Sequence, residues 1–378
     1  MTIFIGLILA LLPSYLLRFN IFGIPTTFLE ILIVVFLLAV FVSNHSRAWT
    51  VIKQLGKINY AIGLFVAAAV ISTIISPEPI KALGQLKTFI IEPVLFFYAV
   101  VSTVNSQQST VKLLRWLFAG AVLISLFGLI QSLTNLGLPL QFWGSGLEPK
   151  RITSFFEYPN ALALYLAPLF SLFFILWWKN YAFMNRRALT FGLILILIAL
   201  ILTFSRGAWL AVMISLVVPW WFKQSLKNKL AALLLVIIIG ILPPIKQRLI
   251  ITDYSAAVHF DLIKVGIKQI GNSPILGNGL YGFRTTQTSQ GYTGEVLNYP
   301  HNIVLNFWLE LGLLGLLGFA AVVWYLTKQY KKRPTAVKLA ALIFVSTMLI
   351  HGLVDVPYFK NDLSVLFWFV ASIFYFDS

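Results

Sequence analysis

Few residues of this chain are equipped for chemistry, and they stand far apart. The first is Arg206, in ILTFSRGAWLAV (201–212), where a guanidinium interrupts a long apolar run. An arginine in lipid is among the costliest placements a chain can make. A planar fork of donors at a membrane edge suits bidentate binding of a diphosphate. Its plainer reading is a tight turn in which Gly207 supplies backbone freedom and Arg206 snorkels to headgroups. The second residue is His301, in YPHNIVLNFWLELGLLGLLGF (299–319), at the first turn of an apolar helix. A histidine titrates near pH ~6.5 when unperturbed, the range of a general base; the simpler role is a hydrogen-bonded interfacial side chain, with Asn302 capping the helix. The third place is RITSFFEYPNALALYLAPLF (151–170). Pro159 and Asn160 start a helix there, and Glu157 either orients a sugar hydroxyl or, more simply, is a solvated rim charge.

Other patterns carry less. GNGLYG (277–282) matches G-x-G-x-x-G, but no strand precedes it and no βαβ unit surrounds it, so its glycines are better explained by tight turns. Glu310 lies nine residues after His301, which at ~100° per residue puts it on the opposite side of the helix, where an interhelical hydrogen bond is the expected role. The sequence has no H-E-x-x-H, Walker A or clustered carboxylate metal motif.

The elements that must position these residues are membrane helices. Of the 378 residues, 59% are hydrophobic and 11% charged, and the mean hydropathy is +0.89, far from a soluble domain. Backbone groups in lipid have to be satisfied within each segment, so the spans are helices and the fold is an all-α polytopic bundle. Hydropathy places about twelve of them, each of roughly membrane-crossing length, near 2–17, 27–43, 59–75, 88–104, 114–133, 160–178, 188–204, 208–222, 230–245, 302–327, 339–354 and 362–376. The N-terminus, apolar at once and without a basic leader, reads as a retained span and not a removed signal peptide. Cysteine is absent, which excludes thiolate metal or redox sites.

With both termini inside, the inner loops carry Arg47, Lys53, Lys57, Lys112, Arg115, Lys179, Arg186, Arg187, Lys223, Lys227, Lys229, Lys328, Lys331, Lys332, Arg333 and Lys338 and no acid, as the positive-inside rule asks. The net charge of +16 is thereby explained by loops facing anionic lipid. The basic residues are scattered, not gathered into a groove with stacking aromatics, which argues against nucleic acid. The outer loops, at about 134–159 and 246–300, hold both signs. The second exceeds ordinary connection lengths, and its HFDLIKVGIKQI (259–270) has the spacing of an amphipathic helix at the membrane surface. The chain thus reads as one transmembrane domain, 1–378, with an ordered extracytoplasmic loop before the tenth span. Function belongs on that face.

Three segments in order, FFEYPNALALYLAPL, TFSRGAWLA, and SPILGNGLYGF leading to PHNIVLNFWLELGLLGLLG, resemble the O-antigen ligase and O-antigen polymerase superfamily over about residues 150–325. The resemblance implies a multi-pass protein of the bacterial cytoplasmic membrane that makes cell-envelope polysaccharide, as in lipopolysaccharide biosynthesis. It implies inverting, metal-independent glycosyl transfer on the outer face without a cofactor. The donor is a glycan on undecaprenyl diphosphate and the acceptor a glycan or lipid-glycan hydroxyl. By the same resemblance Arg206 contacts the diphosphate and His301 activates the acceptor, with Asn302, Glu157 and Asn160 as further substrate-binding candidates. Relatives carry an arginine where this chain has His259, so Arg248, Lys264, Lys268 or Arg284 are candidates for a second diphosphate contact, Lys264 and Arg284 foremost. Trp143, Tyr158, Trp209 and Tyr281 are candidates for stacking on sugar faces, against a simpler role as interfacial belts. A rival reading is a transporter or flippase of lipid-linked glycans, which would show related halves and charges along a path; within spans the acids are chiefly Glu30, Glu92 and Glu310. A scaffold without chemistry would make Arg206 and His301 dispensable.

Overall fold

The computed structural model describes residues 1–21, 23–144, 149–221, 225, 254–289, 292 and 294–376. The expected span at 230–245, Arg248, and the first residues of the 246–300 loop lie outside these. The described residues are mostly helical: α1 (Thr2–Ala10), α2 (Phe28–Leu55), α3 (Ile58–Ile74), α4 (Pro79–Gln85), α5 (Glu92–Thr103), α6 (Gln107–Thr134), α7 (Pro159–Trp178), α8 (Arg186–Leu202), α9 (Arg206–Trp221), α10 (Tyr254–Asn272), α11 (Gly282–Ser289), α12 (Ile303–Lys332), α13 (Ala336–His351) and α14 (Asn361–Ile373). Four helical stretches among the described residues are long and apolar enough to cross a membrane, Pro79–Thr103, Gln107–Thr134, Pro159–Trp178 and Ile303–Lys332. A fifth counts if Trp49–Leu55 and Ile58–Ile74, bent by 101°, are one span. The other apolar helices have cores of 10–17 residues, at or below the ~17 that a perpendicular crossing needs.

Several boundaries differ from the hydropathy reading for local reasons. The first helix ends at Ala10, and Pro13 lies in a 3-10 turn (Leu12–Leu16). A two-stranded antiparallel hairpin follows, β1 (Arg18–Ile21) and β2 (Ile24–Thr27), where an all-helical fold had only a connection. Thr27 then starts α2 with a capping box, accepting from the Glu30 N–H at 3.3 Å while the Glu30 carboxylate accepts from the Thr27 N–H at 3.3 Å. α2 runs on to Leu55, so Arg47 and Lys53 ride on helix, not loop. The fourth expected span begins at Pro79, nine residues early, and passes through a π-helical turn (Leu86–Ile91) before α5.

α7 is the centre of the bundle: nearly every residue from Ala161 to Phe173 is buried, and α13 lies against it and α9. Peripheral helices instead expose large apolar side chains, among them Leu38, Phe41, Leu133 and Phe191, as faces solvated by hydrocarbon do.

The expected tight turns of GNGLYG have a more specific use. α12 is broken at Gly312, whose φ of 69° and ψ of 179° leave the helix. The loop 273–281 fills the break: the Leu313 N–H donates to the Ile275 carbonyl at 2.9 Å, and the Asn278 N–H to the Leu309 carbonyl at 2.6 Å. Gly277, at φ +70°, lies where a Cβ would overlap the Trp308 and Leu309 carbonyls, and one on Gly279 would stand 2.7 Å from the Ser72 carbonyl of α3. Glu310, fully buried, accepts from the Tyr281 N–H and, at 3.1 Å, from the Phe283 N–H, so it caps α11. Gly277→Ala is expected to lower stability by about 1–3 kcal/mol from the backbone conformation alone, and more once the overlap is added. Thermal unfolding in detergent measures it.

Candidate functional site

The termini of α7, α9, α12 and α13 gather around one cavity of about 440 Å³, lined by Asn160, Ser205, Arg206, Gly207, His259, His301, His351, Asp355 and several apolar side chains. Three of the four histidines in the sequence are here.

Arg206 reaches the cavity because α8 stops at Leu202 and the chain turns at Phe204, φ 50°. Arg206 is the first residue of α9, not the corner of a turn. The positive φ belongs to Phe204, and Gly207 is required for closeness: a Cβ there would stand 2.7 Å from Val354 and 3.2 Å from the His351 ring. Beside this turn, Arg151 donates through Nε to the Thr203 carbonyl at 2.9 Å and through a terminal nitrogen to Asn160 Oδ1 at 2.8 Å. Asn160, at the second position of α7, is thereby held in the cavity wall.

His301 has a φ of 51° and precedes the cap of α12. Asn302 is that cap, accepting from the Leu305 N–H at 3.0 Å. Asn302 also donates to the Leu353 carbonyl at 3.0 Å, and the Ile303 N–H donates to the Gly352 carbonyl at 2.6 Å. These bonds clamp the tip of α12 to the turn after α13 and bring His301 Nδ1 within 3.3 Å of Asp355 Oδ1. Asp355 Oδ1 also accepts from the Val356 N–H at 2.8 Å. On its other side His301 stacks on His259, with ring centroids 3.9 Å apart and planes 11° from parallel.

Burial pushes the Asp355 carboxyl up, but the His301 hydrogen bond and charge, His351 and the Val356 N–H outweigh it and hold the group at about 2, below its ordinary 3.8. A carboxylate depressed in the folded state stabilises fully above its unfolded value and loses that contribution as pH falls through the folded one. Asp355→Asn is therefore expected to cost stability at neutral pH and to flatten its loss between pH ~4 and ~2, as thermal unfolding across that window would show. It is also expected to slow any reaction that uses the His301 base, on the order of 10²-fold or more, by freeing the imidazole's tautomer and orientation.

Other candidates lie elsewhere. Lys264 is exposed and paired with Asp261 at 3.1 Å. Arg284 donates to Asn298 Oδ1 at 2.7 Å. Neither lines the cavity, whereas His259 does. Glu157 is exposed, paired with Arg18 at 3.2 Å, and does not line this cavity. Trp143 and Trp209 bond the Leu138 and Leu200 carbonyls, and Tyr281 lies under Lys81; Tyr158 is the one of the four aromatics that lines a polar cavity, discussed below. Sequence reasoning passed over Arg151, His351 and Asp355. The signal available was HGLVD (351–355), a histidine and an acid four residues apart at the end of an otherwise apolar stretch.

With Arg206, His259 and His301 facing one cavity, the quoted motifs converge in space as well as in order. Residues 191–320 match the O-antigen ligase family model. The O-antigen ligase match contains those three residues and ends before His351 and Asp355; the FFEYPNALALYLAPL segment precedes it. A Rickettsia felis protein named "Putative polysaccharide ligase" is 29% identical over 146 residues, an alignment covering 35% of this chain and 35% of that relative.

Proposed function

We propose that this protein is an extracytoplasmic membrane glycosyltransferase of the O-antigen ligase and polymerase kind. It transfers a glycan from undecaprenyl diphosphate to an acceptor hydroxyl by an inverting, metal-independent route. The observation that carries this is the convergence of Arg206, His301 and Asp355 on one cavity of about 440 Å³. The N-termini of α7, α9 and α12 meet at that cavity, and helix N-termini favour anions.

In the reaction the acceptor oxygen attacks the anomeric carbon from the face opposite the diphosphate. The carbon–oxygen bond to the diphosphate breaks, and its electron pair leaves on the phosphate oxygen. The acceptor proton passes to His301 Nε2, because Nδ1 faces Asp355, which fixes the ring and stabilises the imidazolium. Arg206 holds the leaving group by fixed positive charge. His259, which lines the same cavity, supplies the second wall of the diphosphate site. The protein lies in a bacterial cytoplasmic membrane with about twelve spans, both termini cytoplasmic and the cavity outside. A transporter gains little support: the Glu30 and Glu310 carboxylates are engaged in capping helix N-termini.

The test is purified protein in nanodiscs, given undecaprenyl-diphosphate-linked glycan and acceptor glycan. Transfer is expected, with release of undecaprenyl diphosphate and a glycan adduct by mass spectrometry. An intact donor that instead crosses between the leaflets of vesicles would sink the reading in favour of transport.

A further inference from the structure

A second cavity of about 280 Å³ lies on the same end of the bundle, with Arg18, Glu30, Glu157, Tyr158, Lys360 and Asn361 in its wall. Its volume is many times the ~10–15 Å³ that a single water needs, room for a pyranose ring and its hydroxyls. Three short segments build both cavities. In the first, Glu157 and Tyr158 face the second cavity and Asn160 faces the first; in the next, Tyr299 faces the second and His301 the first; in the last, Lys360 and Asn361 face the second and Asp355 the first. The two cavities are therefore neighbours across a shared wall, and His301 is two residues from it.

The lining is matched to an uncharged polyol better than to a phosphate. Arg18 is paired with Glu157 at 3.2 Å, and Glu30 takes Lys87 at 2.9 Å, so the field of one sign is cancelled by the other. What remains on offer is directional. Asn361 is 5% exposed, its amide nitrogen bonded to Glu30 Oε1 at 3.2 Å, and its carbonyl oxygen has no partner among the described residues. The Lys360 ammonium lies 5.0 Å from the Tyr158 ring centroid and forms no ion pair among the described residues. Carboxylates, a carboxamide, an ammonium and a flat aromatic ring supply the acceptors, donors and apolar face that a hydroxylated ring needs.

We propose that this second cavity is a saccharide subsite that holds the acceptor glycan, so that its reactive hydroxyl extends across the shared wall to His301. The proposal rests on the transferase reading for the word acceptor, and on the cavity itself for the word saccharide.

The experiment uses oligosaccharides released by mild acid from the surface polysaccharide of the source cell, titrated against the nanodisc protein by saturation-transfer NMR. Inorganic diphosphate serves as the control probe. Binding of the oligosaccharide is expected to weaken at least tenfold in Glu157→Ala and Asn361→Ala and to persist in His301→Ala and Arg206→Ala. Diphosphate binding is expected to weaken in Arg206→Ala and to persist in Glu157→Ala, Asn361→Ala and His301→Ala. Glu157 is exposed, so its variant reports on binding even where Asn361→Ala fails to fold. Absence of oligosaccharide binding to the wild type, or binding lost with Arg206→Ala and kept in Glu157→Ala, overturns the subsite. If the oligosaccharide binds as expected but His301→Ala still transfers glycan, the saccharide site stands and the catalytic reading falls.

Discussion

His301→Ala is expected to lower the rate of glycan transfer by about 10²–10⁴-fold, the usual worth of a positioned general base, while donor binding is retained. The expectation follows from geometry. Nδ1 is engaged with Asp355 at 3.3 Å, one ring face is covered by His259, and the residue lines the cavity. The ring is therefore held on two sides, with Nε2 as the nitrogen left to accept a proton. The measurement is single-turnover transfer in nanodiscs, with undecaprenyl diphosphate affinity and thermal stability measured alongside. Loss of rate without loss of affinity or folding supports the base. A fall in all three would mean that His301 holds the turn 352–355 in place and does no chemistry, a real alternative given the Asn302 and Ile303 bonds beside it.

Arg206→Ala is expected to cost about 10²–10³-fold in kcat, the effect of removing a fixed donor aimed at developing negative charge, and to raise the donor KM as well. Arg206→Lys keeps the charge and loses the planar fork, so it should recover part of the donor affinity and less of the rate. The readout is donor KM and kcat for the two variants against inorganic diphosphate as inhibitor. A lysine variant as active as the wild type would refute bidentate recognition and leave a simple positive potential.

Residues of the candidate site were legible in sequence where a single unusual group broke an apolar background. Arg206 and His301 are of that kind, and so is Asn302, whose capping role follows from its position before an apolar helix. The amphipathic α10 was legible from its spacing and Pro159 from its place at a helix start. Arg151 was not, because it belongs to no local pattern, and Asp355 had only the short spacing of HGLVD to mark it. Asp355 becomes informative when the tip of α12 docks on the turn after α13, and Arg151 when the segment before α7 docks on the end of α8. Lys264 and Arg284 were plausible cations by charge alone, but side-chain direction on a helix decides where a charge goes. Helix ends were displaced where hydropathy is blind to backbone detail, as at Pro13, Leu86–Ile91 and Gly312.

That last position has a bearing on topology mapping. LELGLLG (309–315) reads as uninterrupted helix, and residues 273–281 read as a linker open to a spliced epitope or reporter. In hydrogen-bonding terms the linker belongs to the span, since it supplies the Ile275 carbonyl and Asn278 N–H that complete the backbone ladder on either side of Gly312. A tag placed there interrupts the helix that carries His301 some ten residues away, so a silent reporter at that point would speak of a broken span and not of which side of the membrane it faced.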